Sequence, residues 1–459
     1  MKAQREPTKT ASHPTHEQRL HSAVLSHTTQ FASLKEEWDD LYESCPSATP
    51  FSSWAWLYSW WEVYGEGSYK LRLITLRDED GLLVGLLPLM ARRRLGFGRL
   101  LLLGGRSASS EDGMTSYKDV LVREGWEEPV AHAGARALKE LEGWRVADLR
   151  ELMPEAAAWH LLRNWEGPKT SVPLEDYLLI RANSWEELLA SLSKKARKTA
   201  RRTLRSAEED GVRCEPAGPE EAERAARTLV ALHRELLRGR RIDPGNLASR
   251  FETFIAIAAR RMTARGIGRI SEFRCGDEVL VSNFLVFDKD FVGWYMIGAS
   301  REASRRYQYT TLAMWDAINV AHGRDNAYVS LMDYASRDKL RWADELVTSH
   351  RAILGRGRAF WIPYAGYYVV RDRYYSLLSE VQSYVHSEGA PAWVKKATES
   401  YYALQIYPYS EDAPRWVKKA TEGYWALRRE YGYGWLRYNY RVARARRERP
   451  TSTKASRPE

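Results

Sequence analysis

Apolar and polar positions between residues 268 and 332 alternate in a way that predicts three strands, a helix and a fourth strand. The three strands are separated by turns that contain glycine or aspartate: 269–274, 279–287 and 291–297. Arg305 and Arg306 then open a segment in which apolar residues recur at helical spacing from Leu312 to Ala321, and Gly323 stands where a helix would end. Residues 327–332 form a short apolar run. The predicted order is a β-meander, a helix and a buried strand.

The first half of the chain repeats this order. Alternation predicts strands at 69–77, 82–90, 117–122 and 144–149, and helical spacing predicts a helix at 130–141. Two units of the same order favour a duplicated fold of the α/β (α+β) class, with a mixed sheet and flanking helices.

Several short motifs follow one another in the second half. They are Ser184–Leu189 running into Ser193–Lys198, the pair Leu232-His233, the stretch Arg306 to Leu312, and Asp333 with Lys339, Arg341 and Trp342. Their order and spacing resemble the acetyltransferase-like domain of the CelD/BioF2-like branch of the GNAT superfamily. Residues 30–170 resemble its degenerate partner. The resemblance implies a tandem GNAT-like acyl-CoA N-acyltransferase fold, an arrangement also seen in Fem-type aminoacyltransferases.

Length and composition are compatible with two domains and a tail. The 459 residues, 44% of them hydrophobic, can bury at least two cores, because single cores rarely exceed roughly 250 to 300 residues. We expect five segments: a disordered arm at 1–27, a degenerate GNAT-like domain at 28–175, an acyltransferase domain at 176–360, a helical extension at 361–440 and a disordered basic tail at 441–459.

The N-terminal residues, the apolar stretches and the cysteines indicate the compartment in which the protein is expected. Residues 1–27 have no apolar core of the kind a secretory signal needs. The apolar stretch near residues 95–105 is about half of the roughly 20 residues that cross a bilayer. Cys45, Cys214 and Cys275 lie far apart and have no metal-site spacing. We therefore expect a cytoplasmic protein without a metal.

A donor site is expected at the start of the predicted helix 312–321. In the superfamily the pyrophosphate of acyl-CoA lies on backbone N–H groups there, usually at a glycine-rich turn. In this chain that turn is 305–310, in which Gln308 and Thr310 replace the glycines. Cofactor contacts are predicted from Arg305, Arg306, Gln308, Thr310 and Thr311, and from backbone N–H groups at a strand bulge near Ile297 and Gly298. The alternatives are a different carrier, such as acyl carrier protein or aminoacyl-tRNA, and an inactive site.

Three residues are candidates for proton transfer. Asp333 follows a predicted parallel strand, where a carboxylate could take the acceptor's proton, although it could equally cap the next helix. Tyr295, or Tyr334, could protonate the departing thiolate or simply pack. His233 matches a histidine that the family places on a helix, where histidine is also commonly structural.

Positive charge predicts an anionic ligand without selecting it. Lys339, Arg341 and Trp342 resemble a substrate-contact element of the family. A helix predicted at 184–210 carries six cations on one side, which could be a solvated face or an anion-binding face. The net charge is +10 and the pI about 9.3, but no nucleic-acid-binding motif is present.

Two aromatic segments allow alternative interpretations. Trp54, Trp56, Trp60 and Trp61 could fill a core or stack on an acceptor, and the second requires Trp56 or Trp60 to be exposed. Near the C-terminus, residues 390–399 return as 413–422. These repeats predict two short amphipathic helices that dock on the protein, pair with another copy or lie on an anionic membrane surface.

The function predicted from these patterns is transfer of an acetyl or other acyl group from CoA to an amine or hydroxyl of a polar acceptor. A polysaccharide or cell-envelope acceptor is one option that the resemblance leaves open. The alternatives are a non-catalytic scaffold for an anionic partner and a Fem-type aminoacyl-tRNA-dependent transferase. A cleft open beside Gly298 and Thr310 would favour the enzyme, and one filled by Gln308 or Tyr309 the scaffold.

Overall fold

The computed structural model describes residues 19–94, 97–105, 115–237, 249–324, 327–332 and 337–385. Within these residues the chain forms two compact units. Unit 1 draws on Met1–Leu103, Tyr117–Ser171 and Arg351–Trp361, and unit 2 on Gly104–Ser116, Val172–His350 and Ile362–Glu459. The sequence predicts a division between residues 175 and 176, and the main change of unit falls between residues 171 and 172.

Unit 1 is an antiparallel meander flanked by helices. Its elements are β1 His21–Leu25, α1 Thr28–Ser33, α2 Lys35–Glu43, a 3₁₀ turn Pro50–Ser52, α3 Trp54–Trp60, a π turn Trp61–Gly65, β2 Lys70–Arg77, β3 Leu83–Arg94, β4 Phe97–Leu102, β5 Leu121–Val122, α4 Glu127–Glu140, β6 Val146–Leu152 and α5 Ala158–Asn164. The strand order is β1-β2-β3-β4-β6, and β5 pairs with β3. Only β4 and β6 are parallel in this series. The predicted meander, helix and final strand are confirmed.

The aromatic side chains around α3 lie in the core of unit 1. Trp56 and Trp60 have no exposed surface. Phe51 meets Trp56 edge to face at 5.1 Å between ring centroids, and Trp60 stacks with Tyr64 at 5.8 Å. The core interpretation of this cluster is confirmed. Stacking on an acceptor is wrong, because it requires one of these two rings to be exposed.

β1 corrects the expectation of a disordered arm that reaches residue 27. His21–Leu25 pairs antiparallel with residues 73–77 of β2, and Leu20 joins the core of unit 1. Backbone groups make the ladder bonds, so a strand with few apolar side chains still pairs. Its side chains are mostly exposed, and composition therefore made the segment resemble an arm. The first 18 residues lie outside the described part of the chain.

Unit 2 contains the second meander. Its elements are β7 Lys169–Ile180, α6 Trp185–Ser191, α7 Lys194–Glu209, β8 Arg213–Pro216, α8 Ala222–Leu237, α9 Ser249–Arg265, β9 Gly268–Cys275, β10 Glu278–Asp288, β11 Phe291–Ala299, α10 Arg301–Arg306, α11 Tyr309–His322, β12 Tyr328–Ser330, α12 Arg337–Leu340, β13 Glu345–Gly355 and α13 Arg358–Val385. The strand order is β13-β7-β12-β11-β10-β9-β8. β11 and β12 are parallel, whereas β9, β10 and β11 form the antiparallel meander. The order predicted from the sequence is confirmed.

Two segments predicted as single helices are divided. Ser193 is extended (ψ 151°) and its side chain accepts a hydrogen bond from the Ala196 N–H, so it starts α7 and separates it from α6. Arg305 and Arg306, expected to open the long helix, instead close α10. Tyr307 is extended (φ −123°, ψ 158°), and α11 begins only after Gln308. Helical spacing continues across both breaks, which is why periodicity alone missed them.

The expected helical extension begins with α13. This helix runs from Arg358 to Val385, whereas the repeats at 390–399 and 413–422 and the tail at 441–459 lie outside the described residues. Across the described part of the chain, no helix combines the length and apolarity needed to cross a bilayer.

Candidate functional site

β11 and β12 separate at their carboxyl ends. Their parallel pairing covers only residues 291–293 of β11 and 328–330 of β12, although β11 continues to Ala299. The β10–β11 register shifts so that Phe284 faces Met296 and Leu285 faces Trp294, which leaves Tyr295 as the extra residue of a bulge. Beyond this bulge, β11 has no described pairing with β12. We call this unpaired end of β11 beside β12 the opening, because open α/β sheets commonly bind ligands at the carboxyl ends of their strands.

Gly298 allows helix α8 to approach β11 closely. A Cβ at this position would lie 2.6 Å from the Leu229 carbonyl oxygen, 2.7 Å from the Leu232 Cβ and 2.8 Å from the backbone nitrogen of His233. A side chain here would force the backbone apart. The bulge expected near Ile297 and Gly298 therefore lies at Tyr295 instead, and this glycine serves helix packing.

His233 reaches the same strand from α8. Its Nδ1 lies 2.6 Å from the Ile297 carbonyl oxygen. The carbonyl can only accept, so Nδ1 donates and Nε2 of the neutral ring is left as an acceptor. Burial lowers the pKa of His233, while the bond to Ile297 opposes that shift. The imidazole is consequently neutral near pH 7, the form in which it can accept a proton.

Tyr295 occupies the bulge and is 9% exposed. Its ring meets Phe284 edge to face, with 5.8 Å between centroids. Tyr295 thus occupies the bulge with its ring packed on Phe284, and its role as proton donor stays a prediction.

The N-terminus of α11 contains three of the predicted cofactor contacts: Gln308, Thr310 and Thr311. Gln308 is the N-cap, and its side chain makes no capping bond. Thr311 is fully buried, and its hydroxyl donates to Gln308 Oε1 at 3.3 Å, so this hydroxyl faces the protein rather than a ligand. Arg341 Nη2 donates to Thr310 Oγ1 at 3.2 Å. The first turn of α11 contains no acidic residue, and a cation lies beside its N–H groups.

The two arginines of the predicted phosphate turn have different surroundings. Arg306 pairs with Asp210, at the end of α7, and with Glu302 at 3.9 Å. Asp210 also accepts from the Tyr307 hydroxyl. Arg305 is exposed at the end of α10. Arg306 thus fastens α10 to α7, and Arg305 remains the more accessible cation of the pair.

The substrate element predicted at 339–342 is divided between surface and core. Lys339 is half-buried, and Arg341 contacts Thr310 as described. Trp342 is only 2% exposed and packs near Trp185, with 6.0 Å between ring centroids. It belongs to the core that also contains Ala313 and Ala317 of α11. The Trp342 ring therefore supports α11 from inside, and its predicted contact with a substrate stays a prediction.

Asp333 and Tyr334 lie outside the described residues. Their predicted roles stay predictions. The preceding residue, Met332, closes this part of the chain with φ +60°. It is 5% exposed, and its N–H donates to Ser330 Oγ at 3.1 Å.

A buried polar network that sequence reasoning missed fixes α11 to the sheet. Asn283 Nδ2 donates to Asp316 Oδ2 at 2.9 Å and to the Ala313 carbonyl at 3.2 Å, and Trp294 Nε1 donates to Asn283 Oδ1 at 2.7 Å. Arg269 pairs with Asp316, which is 2% exposed. The available signal was a carboxylate and an amide within apolar runs, since such groups are rarely buried without partners.

The cationic side of α7 is confirmed as an exposed surface. The six cations predicted on this side are Lys194, Arg197, Lys198, Arg201, Arg202 and Arg205, and all but Arg197 are exposed. Arg197 is half-buried and donates to the Ala190 and Leu192 carbonyls. Arg201 pairs with Glu186 at 2.6 Å, and the described residues offer no ion pair to the other five. Leu204 and Ala207 pack in the core that includes Tyr309 and Leu312. The helix therefore carries its positive charge alongside the first turns of α11.

Other chemistry-bearing features fall elsewhere. A shallow cavity of about 460 Å³ in unit 1, bordered by residues 26–29 and 66–72, contains none of the predicted site residues. Cys45, Cys214 and Cys275 are free thiols. Within the described ranges, no group of three His, Cys, Asp or Glu side chains is placed to hold a metal ion.

Comparison with known families identifies one domain. Residues 194–340 match the family model described as an acetyltransferase (GNAT) domain. This range runs from the start of α7 to the end of α12 and includes the opening between β11 and β12. No curated protein matches the sequence at a significant level.

Several solved structures share a distant likeness. FemX has a TM-score of 0.49 at 12% identity and is matched over 69% of this chain and 95% of its own. The C-terminal domain of a putative lysylphosphatidylglycerol synthetase from Agrobacterium fabrum scores 0.43 at 10% identity, over 70% of this chain and 92% of its own. A tandem GNAT protein from the clavulanic acid biosynthesis pathway scores 0.36 at 13% identity, over 74% and 99%. These scores lie below 0.5, so what those proteins bind or catalyse does not carry over to this chain.

Proposed function

We propose that this protein, a GNAT-family acyltransferase whose acetyltransferase domain spans residues 194–340, transfers an acyl group from acyl-CoA to an amine or hydroxyl of a polar acceptor. Acetyl-CoA is the donor that we infer first, and a polysaccharide or cell-envelope component is the acceptor class that we would test first.

The observation that carries this proposal is the opening of β11 from β12 beside the N-terminus of α11. β11 pairs with β12 only as far as Gly293, and the bulge at Tyr295 follows. The nearby helix presents N–H groups with no acid in its first turn, and Arg341 touches Thr310 at 3.2 Å. Helix N-termini and arginine are the two features that proteins most readily use for phosphate.

The residues at this helix fit a phosphate-bearing donor, although two glycines of the family turn are absent. Gln308 and Thr310 each add a side chain where the backbone would approach pyrophosphate closely. Gln308 is turned toward Thr311 of its own helix, with 3.3 Å between Oε1 and the hydroxyl. A bound acyl-CoA supplies the activated thioester. Thr310, Arg341 and Arg305 would hold its phosphates.

His233 and Tyr295 supply a reasonable pair for proton transfer. His233 can take the proton of the acceptor's amine or hydroxyl at Nε2, because Nδ1 is occupied by the Ile297 carbonyl at 2.6 Å. Tyr295 lies on β11, the strand that contains Ile297, and can donate its hydroxyl proton to the leaving thiolate. The exposed cations of α7 add a positive field that would favour arrival of an anionic donor.

Calorimetry with acetyl-CoA tests the proposal without knowledge of the acceptor. We expect saturable binding by the wild-type protein and a dissociation constant that rises roughly ten- to a hundredfold in Arg341→Ala, since a hydrogen bond to a charged group contributes about 1.5 to 3 kcal/mol. Arg136→Ala is the matched control, because it removes one exposed cation from α4 of unit 1. Absence of saturable binding by the wild type, or equal weakening in both variants, would contradict the proposal.

A further inference from the structure

Six exposed cations lie on one face of α7, and we call them the cationic stripe. At about 100° per residue they fall within an arc of about 120°. The buried residues Ala200, Thr203 and Ala207 lie on the opposite side of the helix, where they pack in the core. The members of the cationic stripe are Lys194, Lys195, Lys198, Arg201, Arg202 and Arg205.

The protein itself neutralises little of this charge. Among the described residues, the ion pair made by the cationic stripe is that of Arg201 with Glu186, at 2.6 Å. Both of these side chains are exposed, so solvent weakens the pair. Glu208 and Glu209 also face solvent, but they follow only after the last member of the stripe. Most of the positive charge is therefore available to a partner.

The charges of α7 are arranged against the dipole of the helix. Lys194 and Lys195 stand in the first turn, which contains no acid, whereas Glu208 and Glu209 stand in the last turn, which contains no base. Helices are stabilised by the opposite arrangement. The stability of α7 therefore does not account for the cationic stripe. An anionic partner would interact favourably with both the lysines and the positive end of the helix dipole.

The cationic stripe extends beyond the proposed donor site. From Lys194 to Arg205 the helix rises about 16 Å. Ala207, near the end of α7, lies in the core that contains Leu312 of the first turn of α11. Ala200 lies instead in the core that contains the later turns of α11, residues 313–321. The lysines of the stripe therefore lie away from the first turn of α11, and a ligand that meets all six cations must be extended.

The spacing of the charges matches a nucleic acid strand. Six cations along about 16 Å place one positive charge in about every 3 Å of the helix. Each strand of a duplex carries one phosphate per roughly 3.4 Å of its axis. A partner of this charge density can meet each cation of the stripe with a phosphate.

The other residues of the face favour a duplex over a bilayer or a single strand. The arc contains no apolar or aromatic side chain, and its remaining members are Ser206, Glu208 and Glu209. Helices that lie on a bilayer insert apolar side chains, and proteins that hold single strands stack the bases on aromatic rings. Contacts with the phosphates of a duplex need neither and carry no sequence information.

We infer that the cationic stripe of α7 binds the phosphate backbone of double-stranded nucleic acid without reading its sequence. The lysines and arginines pair with successive phosphates along one strand and release the counterions that those phosphates hold. This inference is independent of the acyl-transfer proposal, because duplex binding can be measured without a donor or an acceptor.

Fluorescence anisotropy of a short labelled DNA duplex with the full-length protein tests the inference. We expect saturable binding with a dissociation constant of roughly 10⁻⁴ to 10⁻⁶ M near physiological salt. The logarithm of the binding constant should fall with the logarithm of the salt concentration with a slope of about −5, since each of six phosphate contacts contributes about −0.9. A DNA duplex of unrelated sequence and an RNA duplex should bind with similar affinity.

Removal of half of the cationic stripe should weaken duplex binding. In Lys194→Gln/Lys198→Gln/Arg202→Gln we expect the affinity to fall on the order of ten- to a hundredfold and the slope against salt to become shallower by about 3, since three phosphate contacts are lost. Circular dichroism and thermal unfolding of the variant establish that the loss does not come from unfolding.

A variant of equal charge separates the cationic stripe from the general positive charge of the protein. Lys70→Gln/Arg136→Gln/Lys169→Gln removes three exposed cations from unit 1 and should keep the wild-type slope. Three outcomes would overturn the inference: no saturable binding of either duplex at low salt, equal weakening in the two triple variants, or stripe-dependent flotation with phosphatidylglycerol vesicles by a protein that binds no duplex.

Discussion

Unit 1 and unit 2 contain the same order of elements, but the register beside their parallel pair of strands differs. In each unit two strands pair in parallel over three residues: Arg99–Leu101 with Val146–Asp148, and Phe291–Gly293 with Tyr328–Ser330. A non-glycine residue at positive φ lies near the end of each second strand: Glu151 at +65° within β6, and Met332 at +60° two residues after β12. The contrast lies in the strand before each pair. β3 and β4 keep a regular register, whereas β10 and β11 shift at Tyr295.

The two units also differ in the residues at the end of their parallel strand pair. In unit 1 the last pair is Leu101 with Asp148, and Asp148 bonds to Arg351 at 2.9 Å, with both side chains 3% exposed. In unit 2 the last pair is Gly293 with Ser330, which brings no ion pair. A buried ion pair thus lies at the last parallel pair in unit 1, and a glycine and a serine stand at the corresponding place in unit 2.

The helices at the two sites carry opposite charge at their N-termini. α4 starts with Glu127 and Glu128 in its first turn. α11 has no acid there and touches Arg341 through Thr310. Acids stabilise a helix N-terminus but repel an anionic ligand. The same fold can therefore support a packed unit or a donor site, depending on a bulge, an ion pair and the charge of one helical turn.

Removal of the His233 imidazole should have the largest effect on the activity of unit 2. We expect His233→Gln to lower the rate of thiol release from acetyl-CoA with amine acceptors by about 10² to 10⁴, the usual contribution of general base catalysis. His322→Gln is a matched control, because His322 also places Nδ1 2.6 Å from a carbonyl oxygen, that of Asn183. The wild-type rate should rise with pH through a pKa below the ordinary histidine value, because burial lowers the pKa of His233. A variant with the same rate and pH profile would exclude His233 as the base.

Breaking the buried ion pair should destabilise unit 1. Asp148→Asn removes the carboxylate that pairs with the buried Arg351 guanidinium, and breaking a buried ion pair costs about 3 to 5 kcal/mol. Glu186→Gln, which removes an exposed pair with Arg201 in unit 2, should cost less than about 1 kcal/mol. Urea unfolding measures both. Similar losses in the two variants would mean that burial does not distinguish these pairs.

Transplanting the acid of unit 1 into unit 2 should weaken the donor site. Thr310→Glu places a carboxylate in the first turn of α11, as Glu128 stands in the first turn of α4. We expect acetyl-CoA to bind about ten- to a hundredfold more weakly, whereas Thr310→Gln should lose much less because it adds size without charge. Calorimetry separates the two. Equal affinity in both variants would show that charge at this turn does not govern donor binding.

The smallest effect concerns pH and a buried carboxylate of unit 1. Burial raises the pKa of Asp119 to about 6, while hydrogen bonds from Ala158, Ala157 and Ser47 oppose that shift. The folded state therefore holds a proton that the unfolded state has lost between its ordinary pKa of 3.8 and about 6. Through this group, stability should fall as pH rises across that window.

Asp119→Asn isolates the contribution of this carboxylate. Both carboxylate oxygens of Asp119 accept hydrogen bonds from backbone N–H groups. In the variant an amide NH₂ would face one set of these donors, so the variant should be less stable at every pH. In the wild type, Asp119 gives the free energy of unfolding a pH dependence that corresponds to up to about one bound proton. The variant should lack this contribution in urea unfolding at different pH values. An unchanged slope would place that dependence on other groups.

The sequence predicts the order of elements well because local signals determine it. Alternation located all three strands of the second meander, and the apolar run 327–332 contains β12. Gly323 was correctly placed at the end of α11. The breaks at Ser193 and Tyr307 were missed because helical spacing continues across them, and their causes are a capping bond and a side chain held by Asp210.

The site was less predictable because its geometry comes from residues distant in sequence. Arg351 enters unit 1 from more than 200 positions beyond Asp148. The position of the bulge depends on register with β10, which single-strand patterns do not specify. Likewise, Trp342 looked like a contact residue, but its partner Trp185 lies on α6, in a distant part of the sequence. The sequence shows which residue types are present, but it does not show which neighbours their side chains contact.

Hydrogen exchange measured with and without acetyl-CoA tests the contrast between the two units most directly. Our account predicts that the ligand slows exchange in β11 around residues 294–299 and in the first turn of α11, and leaves β4 and the first turn of α4 unchanged. Protection in unit 1, or no protection at either helix N-terminus at saturating acetyl-CoA, would contradict the assignment of the donor site to unit 2.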